Sequence, residues 1–201
     1  MNRADGIPTF HAKDGAAWRQ WLEENHAQAA SVWLIMYHKG SDTPSVYYDE
    51  AVDEALCFGW IDSKPNKRDG ESYYQFFSQR NPRSNWSGVN KKKVEQLLVQ
   101  GRMAPAGLAT VEEAKRSGTW TALDEVEKLV IPADLQAAFD QNETASNHWD
   151  DFPPSSKRGI LEWIFSAKKP ETRQKRIDET VAMAAQGLRA NHYRQPKNSA
   201  K

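Results

Sequence analysis

The sequence predicts an α+β protein: a small antiparallel sheet packed with helices, followed by a helical C-terminal portion. Two patterns carry that prediction. Before Trp120, short β-rich runs alternate with segments of helical periodicity, whereas beyond it every patterned segment is helical. Composition bounds the class further. With 39% apolar against 27% charged residues the chain is globular, and its 201 residues bury roughly 70% of their unfolded surface.

Asp14, followed by Trp18, Trp21 and Leu22 at helical spacing, predicts a capped helix ending near His26. Residues 32–37 are apolar and rich in β-formers and stop at Lys39-Gly40, the pattern of a buried strand. Over residues 48–58, Val52, Ala55 and Leu56 share a face opposite Asp49, Glu50, Asp53 and Glu54, and Gly59 is placed to cap the end. Trp60–Lys67 and Ser72–Gln79 flank the turn dipeptide Asp69-Gly70 and read as a hairpin of imperfect alternation. Helices follow over residues 89–100, stopped by Gly101, and over Pro105–Ser117, which opens on a proline and closes at Gly118.

The acidic, polar stretch 122–126 divides the chain into an α+β portion, residues 1–120, and a helical portion, residues 121–201. In the second, residues 132–142, 155–167 and 170–187 read as helices, and the last of them sets Ile177, Val181, Ala184 and Leu188 on one face. A polar tail begins at Arg189. No solenoid repeat or low-complexity tract interrupts the pattern.

Formal charge sums to zero, 27 cations against 27 anions, but it is unevenly spread. Between Arg80 and Arg102 six cationic residues face one anion, Glu95; from Glu112 to Asp151 the balance is acidic. A second basic string, residues 167–177, carries five cations against Glu171. The first ten residues lack the apolar run of a secretion signal, and no 18-residue apolar stretch exists, so a cytoplasmic, non-membrane protein is expected. The single cysteine, Cys57, lies in an apolar helical pattern, as a small buried hydrophobe does.

The densest polar constellation runs from Arg80 to Lys91 and ends at a helix start, where free backbone N–H groups and the positive dipole end favour an anion. Arg80 and Arg83 supply forked donors, Ser84, Ser87 and Asn90 add directional ones, and Trp60 or Trp86 offers a stacking wall. Asp62 and Lys64 enter the neighbouring strand, with Asp62 a natural partner for an arginine. The competing reading is structural: Ser84 or Ser87 caps the helix, Trp86 fills the core and the lysines are solvated. Ser63 beside Lys64 does not make a Ser-Lys nucleophile.

His11, His26, His38, His148 and His192 are dispersed, without the spacing of a metal site, so neither metal nor cofactor is expected. GxxxxGK[ST], GxGxxG and GxSxG are all missing, which argues against the common nucleotide-hydrolase, dinucleotide and hydrolase devices.

Five segments together resemble the YdeI/OmpD-associated, or bacteriocin-protection, family. They are Tyr48-Asp49-Glu50-Ala51; Cys57-Phe58-Gly59-Trp60-Ile61-Asp62-Ser63; Ser84-Asn85-Trp86-Ser87 with Asn90; Gly101-Arg102-Met103; and Ala167-Lys168-Lys169-Pro170-Glu171-Thr172-Arg173. The resemblance spans about residues 17–187. One departure precedes the arginine loop, where the family pattern reads Phe-Thr-Pro-Arg and this chain has Phe77-Ser78-Gln79-Arg80. The resemblance implies a bacterial cytoplasmic protein linked to protection against bacteriocins or antimicrobial peptides, with no established reaction or cofactor.

The residues therefore point first to a binding protein for a small anionic or phosphate-bearing ligand. Nucleic-acid binding through the basic stretches is the second reading, weakened by zero net charge. An enzyme using Asp62 with an arginine clamp is the third.

Overall fold

A computed structural model describes residues 6–191 and divides the chain into two compact units, residues 1–122 and 123–201. The first unit runs β1 (Thr9–His11), α1 (Gly15–Asn25), β2 (Ser31–Tyr37), α2 (Tyr48–Cys57), β3 (Trp60–Lys67), β4 (Ser72–Gln79), α3 (Gly88–Val99) and α4 (Pro105–Ser117). The second contains α5 (Asp124–Glu127), α6 (Ala133–Asp140), α7 (Glu143–Asp150), α8 (Pro154–Phe165) and α9 (Pro170–Ala184). The α+β class is thus observed, with two departures in detail.

One departure is in the sheet. Its order is β1-β2-β4-β3, and β1 pairs with β2 in parallel, so the sheet is mixed. β2 with β4 and β3 with β4 are antiparallel, as the hairpin pattern requires. The imperfect alternation of β3 has a local cause: a register shift between Asp62 and Pro65 forms a bulge, beside a proline that has no N–H for the ladder. At the hairpin tip Asp69 Oδ1 accepts from the Glu71 and Ser72 amides and the Ser72 hydroxyl, and these bonds hold its carboxyl below the usual range.

The other departure is two short helices, α5 and α7, in stretches where the sequence pattern placed no element. The chain does divide within residues 122–126, and Leu123 and Val126 of that stretch belong to the core of the second unit.

In the first unit α1 and α2 cover one face of the sheet. Asp14 caps α1 by accepting from the Ala17 amide at 2.8 Å. Trp18 and Leu22 are fully buried with Leu34 and Met36 of β2, Val52 and Leu56 of α2 and Phe77 of β4. The Trp18 indole N–H donates to the Ala51 carbonyl at 3.0 Å, so the ring is both packed and satisfied. In the second unit Leu135, Phe139, Trp149, Ile160, Ile164 and Ile177 form a separate core. Asn142 caps α7, accepting from the Ala145 amide at 3.0 Å. The expected polar tail lies largely outside the described residues, and His192 with it.

α2 and α4 meet through two glycines. At Gly59, which ends α2 with φ +73°, a Cβ would sit 2.3 Å from Thr110 Oγ1. At Gly107 a Cβ would fall 2.2 Å from the Cys57 carbonyl oxygen. Only glycine permits this approach, and it brings the start of α4 against the 57–59 turn, where the cleft described next opens.

Candidate functional site

Arg80 leaves β4 with its amide donating to the Gly59 carbonyl at 2.9 Å. That anchor draws the side chain inward, to 9% exposure. Its guanidinium carbon lies 3.8 Å from the centroid of the Trp86 ring, a close cation–π stack. Among the described residues the guanidinium makes one side-chain hydrogen bond, from Nη2 to the Asn85 carbonyl at 2.5 Å; Nε is buried without an acceptor. No carboxylate among them pairs with it, and burial pushes its pKa down to about 10.

Arg80 forms a wall of a cleft of about 280 Å³, together with His26, Gly59, Trp60, Gln79, Ala106 and Thr110. Ala106 matters through its backbone. α4 begins with Pro105 behind Ala104, which offers no capping side chain, so the amides of Ala106 and Gly107 have no acceptor within the helix. Ala106, in the first turn of an uncapped helix, and a guanidinium without a carboxylate partner among the described residues therefore line the same cleft. His26 Nδ1 donates to the Leu22 carbonyl at 2.8 Å, and Gln79 and Trp60 both donate to the His26 carbonyl, at 2.9 and 3.2 Å. These bonds fix the end of α1 beside the cleft.

The other residues singled out from the sequence are more scattered. Trp60 and Trp86 are 1% and 2% exposed; Trp60 packs edge-on against Trp21, and Trp86 is occupied by Arg80 and by Trp120 at 5.0 Å. Both are core residues, so neither ring stands open as a stacking wall. Asp62 meets no arginine among the described residues. The β3–β4 register places it opposite Phe77, and it accepts from the Tyr48 hydroxyl at 2.7 Å. Burial first, and this bond second, push the Tyr48 pKa up to about 12. Lys64, in the bulge, lies 6.0 Å from the Trp33 ring centroid.

Within the loop, Arg83 is exposed and its amide donates to Asn81 Oδ1 at 2.9 Å, while the Ser84 hydroxyl donates to the Asn81 carbonyl at 2.7 Å. Ser87 caps α3, accepting from the Asn90 amide at 3.3 Å. The start of α3, where the sequence placed the anion, is thus closed by its own side chain. The helix start on the cleft is that of α4, which like those of α2, α6, α8 and α9 has no side-chain cap. Sequence reasoning missed His26, Gly59, Ala106 and Thr110; the readable signal was Ala104-Pro105, a helix start without a capping residue.

A second buried charge lies between α1 and α2. Glu54, 6% exposed, accepts from Arg19 Nη1 at 2.9 Å and Arg102 Nη2 at 2.6 Å. Arg19 also donates to the Arg102 carbonyl at 3.1 Å and pairs with Glu23 at 3.2 Å. Neighbouring Cys57 is fully buried, and burial, reinforced by Glu54, pushes its thiol up, away from the reactive thiolate. The described residues contain no cluster of metal-ligating side chains and no helix long and apolar enough to cross a membrane.

Two family models match the chain. The domain of unknown function DUF8412 matches residues 10–110, half of the chain, and the family "Bacteriocin-protection, YdeI or OmpD-Associated" matches residues 128–187. Of the five segments that carry the resemblance, the four N-terminal ones fall in the first match and Ala167 to Arg173 in the second. No curated protein and no solved structure matches.

Proposed function

We propose, for a chain that belongs to the DUF8412 family through residues 10–110 and matches the bacteriocin-protection, YdeI or OmpD-associated family over residues 128–187, that the Arg80 cleft binds a small anionic or phosphate-bearing ligand. The carrying observation is the buried Arg80 guanidinium on the cleft wall, with no carboxylate partner among the described residues. Buried charges are ordinarily paired, and burial alone pushes this guanidinium's pKa down to about 10. An oxyanion in the cleft neutralises that charge and takes up the free amides at the start of α4.

Nucleic acid is less well supported, because the basic stretch does not form one cationic face. Arg80 is buried, Lys93 is paired with Asp53 at 2.7 Å, and Arg102 is bound to Glu54. In the other basic string Arg173 is clamped to Asp134 at 2.6 Å. The enzymatic reading loses its arginine clamp on Asp62, whose partner is Tyr48. A cytoplasmic role in bacteriocin protection belongs to the same proposal; the name that suggests it attaches to residues 128–187, outside the cleft.

The test is thermal denaturation in sulfate, phosphate and small carboxylates at constant ionic strength. At about 100 times Kd a binding anion adds about 2.7 kcal/mol, a rise of several degrees in Tm. The rise persists in Arg83→Gln and Lys64→Gln and vanishes in Arg80→Gln. An anion panel that stabilises wild type and Arg80→Gln equally refutes the reading.

A further inference from the structure

The cleft does not end at His26. A second compartment of about 460 Å³, whose own walls are Arg19, Glu23, Ala104 and Pro105, adjoins it, and the two share His26, Phe58 and Ala106. The two compartments adjoin within the first unit at these shared residues, and they differ in charge. At the near end Arg80 has no counterion among the described residues. At the far end Arg19 is already neutralised by Glu54 and Glu23 and lies 5.3 Å from the Phe58 ring centroid. Between them stand His26, Phe58 and Ala106, and the far compartment adds the small apolar Ala104 and Pro105.

The near compartment alone, at about 280 Å³, exceeds what a bare oxyanion fills. With a water occupying about 30 Å³ of liquid, an ion displacing three or four waters leaves more than half of it empty.

Resting on the anion reading, we infer that the ligand is a small amphiphile. It carries one oxyanionic group, a phosphomonoester or a carboxylate, on Arg80 and the start of α4, and an uncharged, largely apolar body that lies across Ala106 and Phe58 into the far compartment. A second anionic group is disfavoured, because Arg19, which lines the far end, already has two carboxylates and Glu23 would repel it.

Calorimetric titration of the full chain with inorganic phosphate, phenyl phosphate and phenol tests this, with acetate and benzoate as the carboxylate arm. Burying a ring predicts that phenyl phosphate, or benzoate in its arm, binds about tenfold or more tighter than the bare anion, while phenol binds too weakly to measure. Ala104→Leu, which narrows the far compartment, brings phenyl phosphate to within about threefold of inorganic phosphate measured on the same variant. The ranking in the wild-type protein decides even where that variant folds poorly. Equal affinity for ringed and bare anions overturns the ligand class and leaves the anion site standing. Phenol matching phenyl phosphate overturns it too, and no binding of any anion overturns both readings.

Discussion

Glu54 and Arg80 are both more than nine-tenths buried in the first unit, yet they are held in opposite ways. Glu54 receives two arginines, one on each carboxylate oxygen, and Arg19 ties the cluster to the Arg102 backbone. Arg80 has a tryptophan face, one carbonyl and no counterion among the described residues. The first arrangement is complete and holds α1, α2 and the 102 segment together. The second retains an unmet electrostatic demand on the wall of a cleft, which is the state expected of a group that meets its partner in a ligand.

Removing each group sharpens that contrast. The largest loss is at the floor beneath Arg80: Trp86→Ala removes a fully buried ring and costs about 3 to 5 kcal/mol in urea denaturation. Glu54→Gln follows, at about 2 to 3 kcal/mol, below the usual figure for a broken buried pair because both arginines reach water. Arg80→Met runs the other way. It leaves the ligand-free protein unchanged or about 1 kcal/mol more stable, since the stack on Trp86 is lost but an unpaired charge leaves the interior. A loss above about 2 kcal/mol for Arg80→Met would make Arg80 a structural residue like Glu54.

The smallest effect belongs to an exposed pair in the second unit. The Arg173 fork holds the Asp134 carboxyl below its usual range. A depressed carboxylate contributes stability that is present above the unfolded value of about 4 and lost as pH falls through the folded one. Solvent screening keeps it below about 1 kcal/mol, and Asp134→Asn flattens the acid limb of the stability curve by that amount.

Much of the fold was legible because its signals are local. The Asp14 cap, the Gly59 stop, the Asp69-Gly70 turn and the helical faces of α3, α4, α6, α8 and α9 each lie within one short segment of sequence. β1 was not legible: three residues, Thr9 to His11, become a strand only by pairing with Trp33 to Ile35. α7 is a polar octapeptide with Ala145 and Trp149 as its buried residues, too little for a periodic pattern. At the site, Arg80 stood out in the sequence as part of a basic loop. Its burial did not, because that depends on the Gly59 carbonyl and the Trp86 ring. The start of α4, 25 residues downstream, joins it only through the close approach of Gly59 and Gly107 to their neighbours.

A crystal structure of the protein grown or soaked with phosphate is the most direct measurement. The expected result is the oxyanion in the cleft, within hydrogen-bond distance of the Arg80 guanidinium and the Ala106 or Gly107 amide. Phosphate bound at the Ser87–Gly88 start of α3, with the Arg80 cleft holding only water, would contradict it.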